Sequence, residues 1–425
     1  MSDLADRSGW APGGTPLAVV RARDVDDVRR TLAEAARRGT PVVTRGAGTG
    51  LAGAASAGTG AIVLDVSGLD RILHIDPIDG VARVEPGVIT ADLDRAAAAY
   101  GLFFPPDPGS VEICTVGGNI ATNAGGLRGA KYGVTRDSVL ALDIVLADGR
   151  LVHIGHQTVK GVTGLDLASL FVGSEGTLGV VVGATLRLLP RPSRIGTAAA
   201  FFATVTDAAA ASVALATAGL RPAVVELVDG RTLAAIDDLR GTDLARRGDA
   251  FLLVQADGYG AQEEIDLVAK VLTPTATSVE TTLDPGTAAV LSAARRDALP
   301  AIQAKGHTLI EDIAVPRSRL GEAIDAVPAI AAATGADIYV FAHAADGNLH
   351  PIILVGDDPE PARRAADEIF ALALALGGTV SAEHGIGALK RGWMERELGT
   401  DVLALQRQIK QIFDPAGILN PGKAI

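Results

Sequence analysis

Cysteine occurs once in 425 residues, at Cys114. This excludes an intrachain disulfide and any zinc site built from several thiolates, so a metal here has to be held by His, Asp or Glu. Aromatic residues make up only 4% of the chain, too few for the stacking platforms that grip single-stranded nucleic acid. Positive charge is in deficit: 38 Lys and Arg stand against 50 Asp and Glu, a formal net charge of -12. That balance disfavours nucleic acid and anionic membranes as partners, although it leaves room for a locally basic pocket. No stretch reaches the roughly 18 uninterrupted apolar residues of a transmembrane segment, and the richest, 369–376, reads as a buried helix. Residues 1–13 carry Asp3, Asp6 and Arg7 and no continuous apolar core, so no secretory signal is expected and the cytoplasm is the expected location.

Glycine is plentiful, at 50 residues, and apolar residues reach 48%. A chain of this length exceeds what one core usually organises, so two domains, or one domain with a large cap, are expected. After a short tail over 1–15, the region 16–192 has β-branched runs at 17–20, 41–44, 61–66, 81–84, 140–146, 151–154 and 180–189, with helices over 24–38 and 90–100. Asp24 is a candidate N-cap, with Val25, Val28, Leu32 and Ala36 on one helical face. The Ala147–Arg150 segment, Ala-Asp-Gly-Arg, reads as a hairpin turn. A boundary is expected at Pro190 and Pro192. Beyond it, strands over 196–203, 223–228, 251–256, 308–315, 337–343 and 349–355 alternate with helices over 207–218, 262–272 and 317–333. That order predicts an α+β domain over 193–380 whose sheet is covered on one face. A helical C-terminal segment, 381–425, follows.

Three glycine clusters stand out: residues 45–53 (RGAGTGLAG), 115–126 (TVGGNIATNAGG) and 173–179 (GSEGTLG). Backbone unshielded by side chains can curl around pyrophosphate oxygens or lie along a flat cofactor. The first cluster alone is equally an ordinary turn, and it lacks the Gly-Lys-Ser/Thr ending of a nucleotide-triphosphatase loop. Together, and with Asp107–Ser110 and Lys131–Gly133 between them, these segments resemble the FAD-binding fold of the p-cresol methylhydroxylase (PCMH) and vanillyl-alcohol oxidase superfamily. The resemblance implies an α+β architecture: a two-subdomain FAD-binding domain over 16–192, a cap domain with an antiparallel sheet over 193–380, and a segment over 381–425 that returns to the flavin. It also implies FAD contacts at Arg45, Gly46, Ala47, Gly48, Thr49, Gly50, Leu51, Pro105, Asp107, Ser110, Thr115, Gly117, Gly118, Asn119, Thr122, Gly125, Gly126, Tyr132, Gly133, Glu175, Gly176, Gly179, Val180 and Asn420. The first cluster has no histidine of the kind some members use to attach FAD, so the flavin is expected to be noncovalent. His74 and His153 read as surface or hairpin residues.

A second constellation is made of histidines and a carboxylate. His343 and His350 flank an Asp346-Gly347-Asn348 turn, and Glu383 and His384 sit in another glycine-rich turn. Two imidazoles and a carboxylate form a three-ligand site suited to Zn²⁺, Mn²⁺ or Fe²⁺; the plainer reading is turn histidines donating hydrogen bonds. The His-Asp-Gly-Asn-His and Glu-His-Gly patterns resemble the metal site of flavin-dependent D-2-hydroxy-acid dehydrogenases, a group that includes D-lactate dehydrogenase, the glycolate oxidase flavin subunit and D-2-hydroxyglutarate dehydrogenase. That resemblance implies Zn²⁺ or Mn²⁺ on His343, His350 and Glu383, with His384 as general base or as support for the metal. Arg295 or Arg296 would seat the substrate carboxylate. Register with the family favours Arg295, although Ser292 replaces the family's aromatic residue three positions earlier; the plainer reading is a surface charge pair with Asp297. Positions aligned with the family's contacts to a second carboxylate are Leu299, Ile310 and Ile352, which argues for a monocarboxylate such as lactate or glycolate. The expected partners are thus a small 2-hydroxy acid and an electron acceptor: quinone, cytochrome, electron-transferring flavoprotein or oxygen. Membrane association through such an acceptor is the alternative to a purely cytoplasmic location. Competing functions are a metal-independent alcohol oxidase of the same superfamily and a non-catalytic flavin subunit of an electron-transfer complex.

Overall fold

Two compact units emerge from the chain in a computed structural model that describes residues 4–425. One comprises Tyr132–Arg191, Glu383–Ile425 and the residues up to Gly126; the other comprises Leu127–Lys131 and Pro192–Ala382. Of the expected tail over 1–15, residues 1–3 lie outside the described residues. Asp6 is buried, and its backbone N–H donates to Ser56 Oγ at 2.9 Å, so the described part of the tail is anchored at Asp6.

The first unit begins with β1 (Ala18–Arg21), β2 (Val42–Arg45) and β3 (Ile62–Asp65), a parallel sheet in the order β1-β3-β2. The helix Val25–Arg38 crosses over between β1 and β2. Asp24 caps it by accepting from Asp27 N, Gly39 ends it at φ 64°, and Val28, Leu32 and Ala35 form its buried stripe. The cap contributes about 1 kcal/mol, and complete burial of Val28 and Leu32 roughly 1.5–3 kcal/mol each. A second sheet combines β4 (Ile72–Asp76), β5 (Val81–Val84), β7 (Val139–Val145), β8 (Leu151–Gly155) and β9 (Val180–Arg187) in the antiparallel order β4-β5-β9-β7-β8. β6 (Leu102–Phe103) pairs separately with β10 (Leu189–Pro190). The hairpin expected at 147–150 joins β7 to β8. The chain end closes on β2: Val42 N donates to Ile418 O at 2.7 Å, and Asn420 N to Val42 O at 2.8 Å.

The second unit is built on one eight-stranded sheet of β11 (Ile195–Phe202), β12 (Val224–Asp229), β13 (Ala250–Asp257), β14 (Ala276–Thr282), β15 (Thr308–Ile310), β16 (Ile313–Ala314), β17 (Asp337–His343) and β18 (Asn348–Leu354). Its order is β14-β11-β13-β12-β17-β18-β15, with β16 also on β18; every pairing is antiparallel. The expectation that one face is covered needs correction. Seven successive residues of β11 and all six of β12 are buried, and period-two alternation buries successive side chains only when both faces are covered. Helices Gly230–Arg240 and Ala293–Gln303 pack on the face carrying Phe201, Phe251, Val228 and Phe341. Helices Val205–Thr217, Ala261–Leu272 and Leu320–Thr334 also pack against these strands, consistent with cover on the opposite face.

Candidate functional site

Strand alternation decides which side chains share the face with Phe341. On β12 it is Glu226, two residues before Val228; on β17, His343; on β18, His350 and Ile352. The antiparallel register sets Glu226 opposite His343 and Phe341 opposite His350. The turn between β17 and β18 therefore brings both histidines to one side, where their ring centroids lie 5.0 Å apart at 87°. Both are buried, at 5% and 4% exposure.

Glu226 went unnoticed in the sequence. It is fully buried, and Oε1 lies 2.6 Å from His343 Nδ1 while Oε2 accepts from Arg295 Nε at 2.5 Å. An ionised carboxylate only accepts, so Nδ1 of His343 carries the proton, and in the neutral form of the ring Nε2 is the nitrogen that keeps a lone pair for a ligand. Burial raises the carboxyl pKa of Glu226, but the His343 and Arg295 charges and hydrogen bonds outweigh it and hold the group below the ordinary range. A signal was available: Glu226 is a lone charge inside the apolar run of β12, and a buried charge needs partners.

Arg295 projects from the helix Ala293–Gln303, whose buried stripe is Ala294, Ala298, Ala301 and Ile302. Its guanidinium stacks on Phe341, 4.3 Å from the ring centroid. With Nε on Glu226, the Nη1 and Nη2 edge is the pair of donors that fits a carboxylate. Arg296 points elsewhere: its Nη2 donates to Ala289 O at 3.3 Å, and it lines an open groove of about 690 Å³ with Arg194, Gln255 and Ser292. Asp297 pairs with Arg240 rather than with either arginine. Leu299, Ile310 and Ile352 belong to the same apolar cluster as Phe341, and Ile310 lies opposite Ile352 across β15 and β18.

Asp312 is the other functional-looking residue that sequence reasoning missed. It is fully buried; Oδ1 accepts from Asn348 Nδ2 at 2.8 Å, and Oδ2 from Ser381 Oγ and Ala382 N at 3.0 and 2.9 Å. Oδ1 also lies 4.0 Å from His350 Nδ1. Asp312 thus holds the irregular chain at Ser381 and Ala382.

In the first unit, the second and third glycine clusters are joined through backbone, and the Asn420 side chain ties the third to Ala54, just past the first. Gly173 N donates to Ile120 O and Glu175 N to Ala121 O, while Asn420 Nδ2 reaches both Ala54 O and Glu175 O. Several side chains expected at the cofactor also hydrogen-bond to neighbouring parts of this unit. Arg45 donates to the carbonyls of Leu4, Ala5 and Ala55; Asn119 donates to Thr90 Oγ1 and Thr122 to Gly118 O. What these positions can offer a ligand is largely backbone. Thr44 Oγ1 and Asn420 Oδ1 are buried polar atoms without a hydrogen-bond partner among the described residues, as expected where a polar cofactor would supply one.

Glu175 is the clasp of this unit. At φ 51°, it accepts from Ile386 N at 2.7 Å on Oε1 and from Gly387 N at 2.8 Å on Oε2, fixing the turn that follows Glu383 and His384. Burial pushes its carboxyl up to about 7, outweighing the two N–H donors and Lys423. Glu383 itself lies against Gly125, where a Cβ would come within 2.6 Å of Oε2, and its Oε1 is 3.9 Å from His384 Nε2. His153 is exposed, with Nδ1 2.8 Å from Asp143 Oδ1, and His74 is exposed near Asp76.

Residues 16–155 match the family model for the FAD binding domain, and 191–424 that for FAD linked oxidases, C-terminal domain. The chain belongs to the FAD-linked oxidase family. It is 41% identical over 419 residues to the glycolate oxidase subunit GlcD of Bacillus subtilis (strain 168), covering 96% of this chain and 88% of that protein. It is 36% identical over 420 residues to a D-lactate dehydrogenase of Archaeoglobus fulgidus, covering 96% and 91%. Among solved structures, 4-ethylphenol oxidase from Gulosibacter chungangensis superposes with a TM-score of 0.77 at 19% identity, covering 100% of this chain and 92% of that one. p-Cresol methylhydroxylase does so at 0.76 and 19%, covering 97% and 89%; likenesses at this identity establish the PCMH-type fold alone. This FAD-linked oxidoreductase thus joins an FAD binding domain to an oxidase C-terminal domain. Among the described residues no helix is long and apolar enough to cross a membrane.

Proposed function

We propose that this oxidoreductase oxidises a D-2-hydroxy monocarboxylate, such as lactate or glycolate, to the 2-oxo acid, with a noncovalent FAD and a divalent metal, Zn²⁺ or Mn²⁺. The observation that carries the reading is the Glu226 carboxylate holding His343 with one oxygen and Arg295 with the other, so that a ligand-ready imidazole and a carboxylate-binding fork stand side by side. Relatives named as D-lactate dehydrogenase and glycolate oxidase subunit support the substrate class.

His343, His350 and Glu383 would hold the metal. A buried, carboxylate-oriented imidazole with its lone pair on Nε2 suits that role, and two imidazoles with a carboxylate match Zn²⁺ or Mn²⁺ chemistry. The chemistry these groups would supply is a lowered pKa for a metal-coordinated hydroxyl and a hydride acceptor in the flavin. Arg295 pairs with the substrate carboxylate through Nη1 and Nη2. His384, adjacent to Glu383, accepts the hydroxyl proton. Phe341, Ile310, Ile352 and Leu299 give an apolar surround suited to a short aliphatic side chain and poorly suited to a second carboxylate.

The test is substrate-driven flavin reduction. Purified holoprotein under anaerobic conditions is mixed with D-lactate, L-lactate, glycolate and D-2-hydroxyglutarate, and the visible flavin band is followed. Reduction by a D-monocarboxylate or glycolate, and not by L-lactate, is expected. A flavin that stays oxidised with all of them while metal is bound overturns the reading.

A further inference from the structure

Placing a carboxylate at the centre of a sheet with no exposure is costly, and a buried ion pair is weak evidence of a stabilising role, since apolar residues of similar size often serve as well. The surroundings of Glu226 offer that apolar option: Val228 follows on the same face, and Phe341 and Ile352 flank the histidines. What only a carboxylate provides here is two acceptors on one rigid group. Both neighbours are donors: Arg295 Nε–H always, and His343 Nδ1–H whenever Nε2 carries a ligand. A glutamine could accept from one of them and would turn its NH₂ toward the other.

We infer that Glu226 is the positioning residue that sets the spacing between the metal-ligating His343 and the carboxylate-binding Arg295, and that this spacing selects substrates whose hydroxyl and carboxylate sit on adjacent carbons. The inference rests on the roles given above to His343 and Arg295. The two contacted nitrogens are held one carboxylate apart, at 2.6 and 2.5 Å from its oxygens. Stacking of Arg295 on Phe341 limits rotation of the guanidinium about that contact. A 2-hydroxy acid presents its two binding groups across a single C–C bond; a 3-hydroxy acid needs a wider separation.

The experiment compares wild-type holoprotein, E226Q and E226D in two readouts. Zn²⁺ affinity is measured by competition with a chromophoric chelator in the absence of substrate. KM and kcat for D-2-hydroxybutyrate are measured at saturating Zn²⁺, with D-3-hydroxybutyrate as a competitive inhibitor. E226Q is expected to weaken Zn²⁺ about 10–100-fold, as loss of a carboxylate behind a metal histidine does. It should also raise KM by at least about tenfold, with kcat less affected, and narrow the preference for the 2-hydroxy over the 3-hydroxy acid. E226D keeps the buried charge and serves if E226Q does not fold; it is one methylene short of holding both partners, so both readouts should move in the same direction. Wild type that binds Zn²⁺, beside variants whose Zn²⁺ affinity, KM and inhibitor preference lie within twofold of it, overturns the inference alone. Wild type that binds neither Zn²⁺ nor Mn²⁺ overturns the metal reading and this inference with it.

Discussion

Replacing Arg295 with lysine separates a carboxylate-binding guanidinium from a surface charge. Lysine keeps the positive charge but offers a point donor in place of a planar fork, and it cannot keep Nε on Glu226 while reaching the substrate. The wild-type fork can make two charge-assisted bonds to a carboxylate, each contributing about 1.5–3 kcal/mol. Arg295→Lys loses one of these and leaves the other poorly oriented, so the expected loss is about 2–3 kcal/mol, or a fall of roughly 30–150-fold in kcat/KM. Most of it should enter through KM, because the carboxylate is bound in the ground state as well as the transition state. Arg296→Lys is the control: its guanidinium reaches Ala289 O from an exposed position, and kcat/KM should stay within about twofold of wild type. The assay is stopped-flow reduction of the flavin over a range of D-lactate concentrations. A large loss in Arg296→Lys with little change in Arg295→Lys would refute the assignment.

Gly387 has φ 50°, and a Cβ there would lie 2.0 Å from Ala52 O. Gly387→Ala should therefore cost about 2–4 kcal/mol in urea unfolding, whereas an unchanged midpoint would mean the turn relaxes freely. Glu175 has a folded-state value of about 7 against an ordinary 4.5, so the folded chain holds this proton more tightly than the unfolded one. Its contribution is whole below pH 4.5 and is lost as the pH rises through about 7, amounting to roughly 3 kcal/mol. The stability difference between wild type and Glu175→Gln should shift by that order between pH 4.5 and a pH well above 7, and a pH-independent difference would contradict the account. Ile310→Lys places a cation beside Ile352; it should raise kcat/KM for D-2-hydroxyglutarate relative to D-lactate, and an unchanged ratio would show that this wall does not face the substrate.

The parts of the site that were legible in the sequence are those set by local spacing. His343 and His350 flank a short turn, so a hairpin had to bring them near each other, and Glu383 and His384 are neighbours in the chain. Asp24 and the Ala147–Arg150 turn were equally local. Glu226 was not legible because its partner His343 is 117 residues away; only sheet register, set by the whole domain, brings them opposite. Asp312 meets Asn348 across 36 residues for the same reason. The one-face reading of the sheet failed at β11, whose Ala-Ala-Ala-Phe-Phe run has no polar alternation and belongs to a strand covered on both sides. Arg45 and Asn420 show a further limit. Glycine-rich loops mark where backbone can approach a cofactor, but motif spacing does not say which atoms of a neighbouring side chain the protein itself engages: Arg45 and the Nδ2 of Asn420 donate to carbonyls of this unit, while Asn420 Oδ1 is left without a partner among the described residues.

The most direct test of the central claim is anaerobic flavin reduction by D-lactate or glycolate before chelation, after chelation, and after restoring Zn²⁺ or Mn²⁺. Reduction that disappears with the chelator and returns with the metal, while FAD stays bound throughout, is the predicted result. Reduction at full rate in metal-depleted protein would contradict it and would move this chain to metal-independent chemistry on the same fold.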